Sequence, residues 1–138
     1  MSKVILIIED NKALLEIFIE ILSQKGYKTL AAEDGREGVR LAREARPNLI
    51  LMDIQMPVMN GFDALRMLQS ESTTRDIPSI ALTSFLLPGG RAGFLKLGFA
   101  DHIEKPFNIK ELEQIVDRCL NPIINNIPHI NISRSEAC

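Results

Sequence analysis

The sequence predicts an α/β protein with a doubly wound, five-stranded parallel sheet that is covered by helices on both faces. The chain has 138 residues, the size of one ordinary domain. Short apolar runs alternate with segments of helical periodicity five times along it. Parallel neighbouring strands need crossover connections, and the intervening helices supply them.

The first two strand and helix pairs lie in the N-terminal third. Residues 4–8 (VILII) form an unbroken, largely β-branched run, which is typical of a central parallel strand. Apolar residues then recur at helical spacing over 11–25, and Gly26 stands where a left-handed helix cap would fall. Residues 27–32 predict a second strand and 36–46 a second helix.

The third and fourth strands are expected to end on polar residues. Residues 49–52 are apolar and stop on the carboxylate of Asp53. A loop with proline and glycine follows, and the spacing of apolar residues over 62–68 predicts a third helix. Residues 79–84 (SIALTS) predict the fourth strand.

The last third contains one weak helix and one strong helix. The sequence PGGRAG lowers helix propensity within residues 85–98, so a short or mobile fourth helix is expected. The fifth strand is expected within residues 100–106. Asn108, with Glu111 three residues later, forms a capping-box pattern that predicts the start of the fifth helix, and Pro122 closes that helix.

Several chemically active side chains are expected at one edge of this sheet. In doubly wound sheets the site lies beyond the carboxyl ends of the strands. That rule brings together Glu9, Asp10, Asp53, Thr83 and Lys105. Three carboxylates so placed repel each other by roughly 4 kcal/mol per pair at ~4 Å and an effective dielectric of ~20. A hard cation must offset that repulsion, and Mg2+ suits these oxygen ligands.

The same group of residues suits phosphoryl transfer. A carboxylate beside Mg2+ and a lysine can act as a nucleophile toward phosphorus and form an aspartyl phosphate. Asp53 would attack, while Mg2+ and Lys105 would neutralise the phosphoryl oxygens. The hydroxyl of Thr83 would donate to one of those oxygens and link the state of Asp53 to the loop and helix that follow.

The chain resembles a response-regulator receiver domain of the single-domain chemotaxis type. Four motifs carry this resemblance in the expected order: IIEDN, LILMDIQMPVMNG, ALTS and EKP. It implies a flavodoxin-like (βα)5 fold with strand order 2-1-3-4-5 for residues 1–120. Residues 121–138 would be a tail or the start of a linker; docking on the domain, pairing with another chain and leading to an output domain all stay open.

The resemblance also implies a metal site and a phosphodonor. Glu9, Asp10 and Asp53 would hold Mg2+ together with the backbone carbonyl of Gln55. Asp53 would accept a phosphoryl group from a histidine kinase or a phosphotransfer protein. The domain would be a monomer, or a dimer that forms on phosphorylation.

The output side follows the family pattern with two departures. The resemblance implies that Thr83 is the switch hydroxyl, that Lys105 binds phosphate and that the peptide bond before Pro106 is commonly cis. The fourth helix, fifth strand and fifth helix would form the surface that an unknown downstream protein reads. His102 stands where receivers usually carry Tyr or Phe as the partner of the switch threonine, and PGGRAG replaces a more polar helix start.

Composition argues against several other classes. Lys plus Arg is 16 and Asp plus Glu is 18, giving a net charge of -2. The chain therefore has no strong positive electrostatic field that would favour binding to nucleic acid or to an anionic membrane. The N-terminal residues form neither a signal peptide nor a transmembrane segment, which predicts a cytoplasmic domain. Cys119 and Cys138 lack the spacing of a zinc site and are interpreted as reduced thiols.

Three alternative functions meet specific objections. An Mg2+-dependent phosphatase that works through an aspartyl phosphate generally needs a second acid where this chain has Gln55. A flavin or nucleotide domain needs a phosphate loop where EDNKA would repel phosphate. A pseudo-receiver would bind partners without phosphorylation, yet all the acceptor residues are present. The chain is therefore expected not to be an enzyme beyond phosphorylation and dephosphorylation of Asp53.

Overall fold

The computed structural model describes residues 2–121, in which five strands and five helices alternate. The strands are β1 (Val4–Ile8), β2 (Lys28–Ala32), β3 (Leu49–Asp53), β4 (Ser79–Thr83) and β5 (Asp101–Glu104). The helices are α1 (Lys12–Gln24), α2 (Gly35–Ala45), α3 (Gly61–Ser70), α4 (Arg91–Leu97) and α5 (Ile109–Leu120). The predicted tail and Pro122 lie outside the described residues.

The strands form one parallel sheet in the order β2-β1-β3-β4-β5, which confirms the predicted topology. The register pairs Ile8 of β1 with Met52 of β3, and Asp53 with Leu82 of β4. Thr83 in turn pairs with Glu104 of β5. The carboxyl ends of four strands therefore meet at one edge, with β1 and β3 at the centre.

Two apolar layers cover the sheet. Successive residues of a strand point to opposite faces, and β1 shows this clearly: Ile5 and Ile7 pack with one cluster, and Leu6 and Ile8 pack with the other. The first cluster includes side chains of α1 and α5, and the second includes side chains of α2, α3 and α4. Burial on both faces explains why the central strands are continuous apolar runs rather than alternating ones.

Four of the five helices begin with a side-chain cap. In each, the carboxylate or amide oxygen of the N-cap residue accepts a hydrogen bond from the backbone three residues later; these N-caps are Asn11, Asp34, Asn60 and Asn108. Helix α4 begins instead at Gly90, without a side-chain cap, and has only seven residues. The expectation of a short fourth helix is confirmed.

Two expectations differ from the structure at the opposite end of the sheet. Strand β2 begins at Lys28, because the backbone N–H of Tyr27 donates to the carbonyl oxygen of Leu22 at the end of α1 instead of pairing with β1. Cys119 is disulfide-bonded, so the interpretation of this residue as a reduced thiol is wrong. Within residues 2–121, every helix is too short or too polar to cross a membrane.

Candidate functional site

Three acids converge where β1 and β3 end. Glu9 and Asp10 directly follow β1, and Asp53 is the last residue of β3. Each offers one carboxylate oxygen, and these oxygens all lie within 4.8 Å of one another. Glu9 and Asp53 are buried, whereas Asp10 is exposed, so the cluster is open to solvent on one side.

Lys105 lies between two of these acids. Its Nζ is 3.1 Å from Glu9 Oε1 and 3.1 Å from Asp53 Oδ2. Its backbone N–H donates to the carbonyl oxygen of Thr83 at 2.8 Å, which anchors the segment after β5 to the end of β4. The following Lys105–Pro106 peptide bond is cis, as the resemblance implied.

The charges of this cluster are only partly balanced. Burial is the largest influence on Glu9 and, with the nearby Asp53 charge, raises its pKa to about 7, although the Asn11 N–H and Lys105 oppose this rise. Burial disfavours the Lys105 ammonium, but hydrogen bonding to Asp53 and the charges of Asp53 and Glu9 outweigh it, so the pKa of Lys105 is raised. One lysine therefore faces two buried carboxylates, and the site retains an excess of negative charge.

A magnesium ion fits this donor set. The candidate ligands are carboxylate oxygens, which a hard divalent ion prefers, and the exposed position of Asp10 leaves room for the waters that Mg2+ keeps. A divalent cation would also offset the burial of the Glu9 carboxylate and its repulsion from Asp53, which together raise the pKa of Glu9.

Gln55 joins Asp53 to the next loop. Its backbone N–H donates to Asp53 Oδ1 at 3.1 Å, and its side-chain Oε1 accepts from Ser84 Oγ at 2.7 Å. The resemblance implied the backbone carbonyl of Gln55 as a metal ligand, and the contact between its side chain and Ser84 was not predicted. No sequence signal could have done so, because the two residues are separated by 29 positions and have common polar side chains.

Thr83 is buried at the end of β4, but its hydroxyl is already engaged. It donates to the carbonyl oxygen of Phe85 at 2.8 Å and accepts from the Phe85 N–H at 3.0 Å. Because a hydroxyl has one donor hydrogen, Thr83 would have to release the Phe85 carbonyl before it could donate to a group at Asp53.

His102 lies on the face of β5 that α4 covers. Its ring stacks on Phe94 of α4, with centroids 4.8 Å apart and planes 11° apart. Its Nδ1 is buried and has no hydrogen-bond partner among residues 2–121. The imidazole therefore occupies the place of an aromatic packing residue rather than that of a polar one.

Sequence reasoning missed one buried acid. Asp101 is 4% exposed, and its Oδ1 lies 3.1 Å from Arg91 Nε of α4, while its Oδ2 is 3.9 Å from Arg118 of α5. The same Oδ1 accepts the backbone N–H of His102 at 2.8 Å. The two arginines belong to helices on opposite sides of β5, and their sequence distances from Asp101 match no known motif. The cluster could therefore not be predicted from the sequence.

A parallel sheet in the order 2-1-3-4-5, with acids and a lysine at its carboxyl edge, defines the receiver class of α/β domains. The family described as Response regulator receiver domain matches residues 5–117, and the chain belongs to this family. As a receiver domain, it is a two-component signalling protein rather than a classical enzyme.

Relatives and solved structures agree with this assignment. The chain is 37% identical over 109 residues to the polar-differentiation response regulator DivK of Brucella anthropi, covering 79% of this chain and 89% of DivK. The receiver domain of a sensor histidine kinase from Pseudomonas aeruginosa has a magnesium ion coordinated in its active site cleft. It matches with a TM-score of 0.78 at 35% identity and covers 87% of this chain and 98% of its own. Chemotaxis protein CheY4 of Vibrio cholerae matches with a TM-score of 0.80 at 28% identity, over 87% of this chain and 100% of CheY4.

Proposed function

We propose that this receiver domain is a phosphorylation-controlled switch in which Asp53 accepts a phosphoryl group from the phosphohistidine of a histidine kinase or phosphotransfer protein. The observation that carries the proposal is the position of Asp53. Its carboxylate lies at the end of the central strand β3, 3.1 Å from the Lys105 ammonium and beside two further acids. We further propose that residues 1–120 form the cytoplasmic receiver and that 121–138 form a tail or linker.

The transfer is a displacement at phosphorus. A carboxylate oxygen of Asp53 attacks, a P–O bond forms while the P–N bond to the donor imidazole breaks, and the bonding electron pair leaves with the imidazole nitrogen. The Lys105 ammonium, already within hydrogen-bond distance of Asp53, stabilises the negative charge on the phosphoryl oxygens.

Magnesium is the cofactor that this site would use. Glu9, Asp10 and Asp53 would hold it together with the backbone carbonyl of Gln55, as the magnesium-bound Pseudomonas receiver domain supports. The bound ion would supply positive charge at the phosphoryl oxygens. In its absence, the clustered acids would repel an incoming phosphoryl group.

The proposed output lies on α4, β5 and α5. Thr83 would leave the turn with Phe85 and donate to the phosphoryl group, and His102 would be the second switch residue. The partner that reads this surface would be another protein, and no direct contact with nucleic acid or membrane is proposed for this domain. It would act as a monomer or as a dimer that forms on phosphorylation.

Intact mass after incubation with acetyl phosphate and Mg2+ tests the proposed function. The wild type should gain one phosphoryl group, and Asp53→Asn should gain none. Asp76→Asn is the matched control, because Asp76 is exposed and has no ion pair within residues 2–121. A wild-type chain that stays unlabelled would instead support the pseudo-receiver.

A further inference from the structure

The two sides of Asp53 differ in chemical character. On the β1 side lie the carboxylates of Glu9 and Asp10. On the β4 side, the chain leaves the sheet through Thr83 and continues to Phe85. A cavity of about 370 Å³ opens on this second side. It is lined by Ile54, Gln55, Met56, Asn60, Phe62 and Phe85.

The cavity is apolar inside and polar at its rim. Ile54 and Met56 are buried, whereas Phe62 and Phe85 are half-buried, with ring centroids 6.4 Å apart. Phe62 is also held from behind by an edge contact with Phe99 at 6.4 Å, so the aromatic wall is already in place. The two polar lining residues are both exposed. The six lining side chains are all uncharged, so the cavity suits an uncharged, apolar group.

Hydrogen bonds join the walls of the cavity to the site. The backbone N–H of Gln55 donates to Asp53 Oδ1 at 3.1 Å, and both backbone groups of Phe85 bond to the Thr83 hydroxyl. A phosphodonor that reaches Asp53 carries its leaving group roughly in line, on the far side of phosphorus. The rest of the donor then passes between a charged side and an apolar side. A cationic group is favoured beside the acids, whereas an apolar group gains by entering the cavity.

We propose that this cavity is a subsite for the acyl chain of a small acyl phosphate, and that it makes the domain prefer donors with a longer apolar chain. The proposal rests on the proposed phosphorylation of Asp53. In the transfer, a P–O bond to Asp53 forms while the P–O bond to the acyl oxygen breaks. The bonding electron pair leaves with the acyl oxygen, which becomes part of a free carboxylate.

Rates of labelling with acetyl phosphate and with butyryl phosphate test the proposal, measured by intact mass in the presence of Mg2+. The two leaving carboxylates are nearly equal in basicity, so a difference in rate reports binding of the longer chain rather than chemical reactivity. At low donor concentration, the wild type should react roughly three- to tenfold faster with butyryl phosphate. A rate equal to or below that with acetyl phosphate would overturn the proposal.

Variants of the cavity wall make this test specific. Phe85→Ala removes an aromatic wall but keeps the backbone bonds to Thr83, so it should slow the reaction with butyryl phosphate and bring the two rates together. Phe85→Leu keeps an apolar wall and should retain most of the preference. Leu86→Ala is the matched control, because Leu86 is an exposed apolar residue of the same loop outside the cavity lining. An unchanged ratio in Phe85→Ala, or the same loss in Leu86→Ala, would contradict the subsite.

A binding measurement separates the subsite from the proposed function. Butylphosphonate carries an alkyl chain but cannot transfer a phosphoryl group, and methylphosphonate is its short counterpart. With isotope-labelled methionine methyl groups, butylphosphonate should shift the NMR signal of Met56 more than methylphosphonate does, while Met67, exposed on α3, should respond to neither. Equal shifts at Met56 would overturn the subsite even if acetyl phosphate labels Asp53. A wild type that neither acyl phosphate labels would contradict the proposed function, and with it the role of the cavity in transfer.

Discussion

Glu9 places a carboxylate in the acid cluster at the expense of fold stability, because this carboxylate is buried. It lies fully buried after β1, and desolvation raises its pKa to about 7 from an ordinary value of 4.5. Between pH 4.5 and about 7, the folded chain therefore keeps a proton on Glu9 that the unfolded chain has lost. Its contribution to stability is complete below pH 4.5 and is lost as the pH rises through about 7.

The first prediction is that Glu9→Gln stabilises the metal-free protein at pH 8 by about 2 kcal/mol, because the variant buries no second anion beside Asp53. The glutamine carbonyl oxygen can still accept a hydrogen bond from Lys105. Urea unfolding in EDTA measures the effect, and the difference from wild type should shrink toward pH 5. A difference that is independent of pH would contradict the assignment. Added Mg2+ should stabilise wild type more than Glu9→Gln, since the variant lacks one ligand.

Val58 is strained at the surface. Its φ is 69° and its side chain is exposed, so a β-branched residue occupies a left-handed conformation without any gain from burial. The second prediction is that Val58→Asn raises the free energy of unfolding by about 1 kcal/mol, because asparagine tolerates that region. Val58→Ile keeps the β-branch and should be neutral. Chemical denaturation separates the two, and equal stabilities for Asn and Ile would show that no strain is stored there.

At the scale of elements, α5 is tied to the end of α1 and the start of β2 by one carboxylate. Asp117 accepts hydrogen bonds from the Tyr27 hydroxyl and from Lys25 Nζ. Burial and the hydrogen bond to Asp117 raise the pKa of Tyr27 to about 12. This end of α5 is therefore fixed firmly.

The third prediction concerns the ionisation of Tyr27, which can be followed by absorbance because the chain has one tyrosine and no tryptophan. In an alkaline titration, the tyrosinate absorbance of the folded protein should rise well above pH 10, and Asp117→Asn should lower that midpoint. The stability that Tyr27 contributes is full below pH 10 and is lost as the pH rises through about 12. Tyr27→Phe should cost about 1 kcal/mol at neutral pH. A native midpoint near that of the urea-unfolded chain would refute the link.

At the scale of the whole molecule, the acid cluster and the proposed output surface meet at the end of β4. Thr83 carries both a hydroxyl that donates to the Phe85 carbonyl and a backbone carbonyl that accepts from the Lys105 N–H. The next residue, Ser84, is bound to Gln55, which in turn contacts Asp53. Any change at Asp53 is thus one or two hydrogen bonds away from the segment that leads into α4.

The fourth prediction is that Thr83→Ala still accepts phosphate on Asp53 but no longer transmits the change to residues 84–106. Intact mass with acetyl phosphate and Mg2+ reports labelling, and hydrogen exchange over 84–106 reports transmission. Thr83→Ser, which keeps the hydroxyl, should restore the response. If Thr83→Ala and wild type respond alike, the threonine is not the switch.

The sequence alone determined the order of elements and the acid cluster. Continuous apolar runs, helical periodicity and the cap at Asn108 are local signals, because the residues that interact lie within a few positions of one another. Glu9, Asp53 and Lys105 were placed together because parallel strands bring their carboxyl ends to one edge whatever the details of packing.

Tertiary structure alone decided which side chains complete that framework. Tyr27 meets Asp117 across 90 positions, and Asp101 takes partners from two different helices. The resemblance placed His102 at an aromatic position of the family, but only the tertiary structure gives the residue on which its ring stacks, Phe94. Such contacts depend on rotamers and on the distances between packed elements, which neither periodicity nor local propensity specifies.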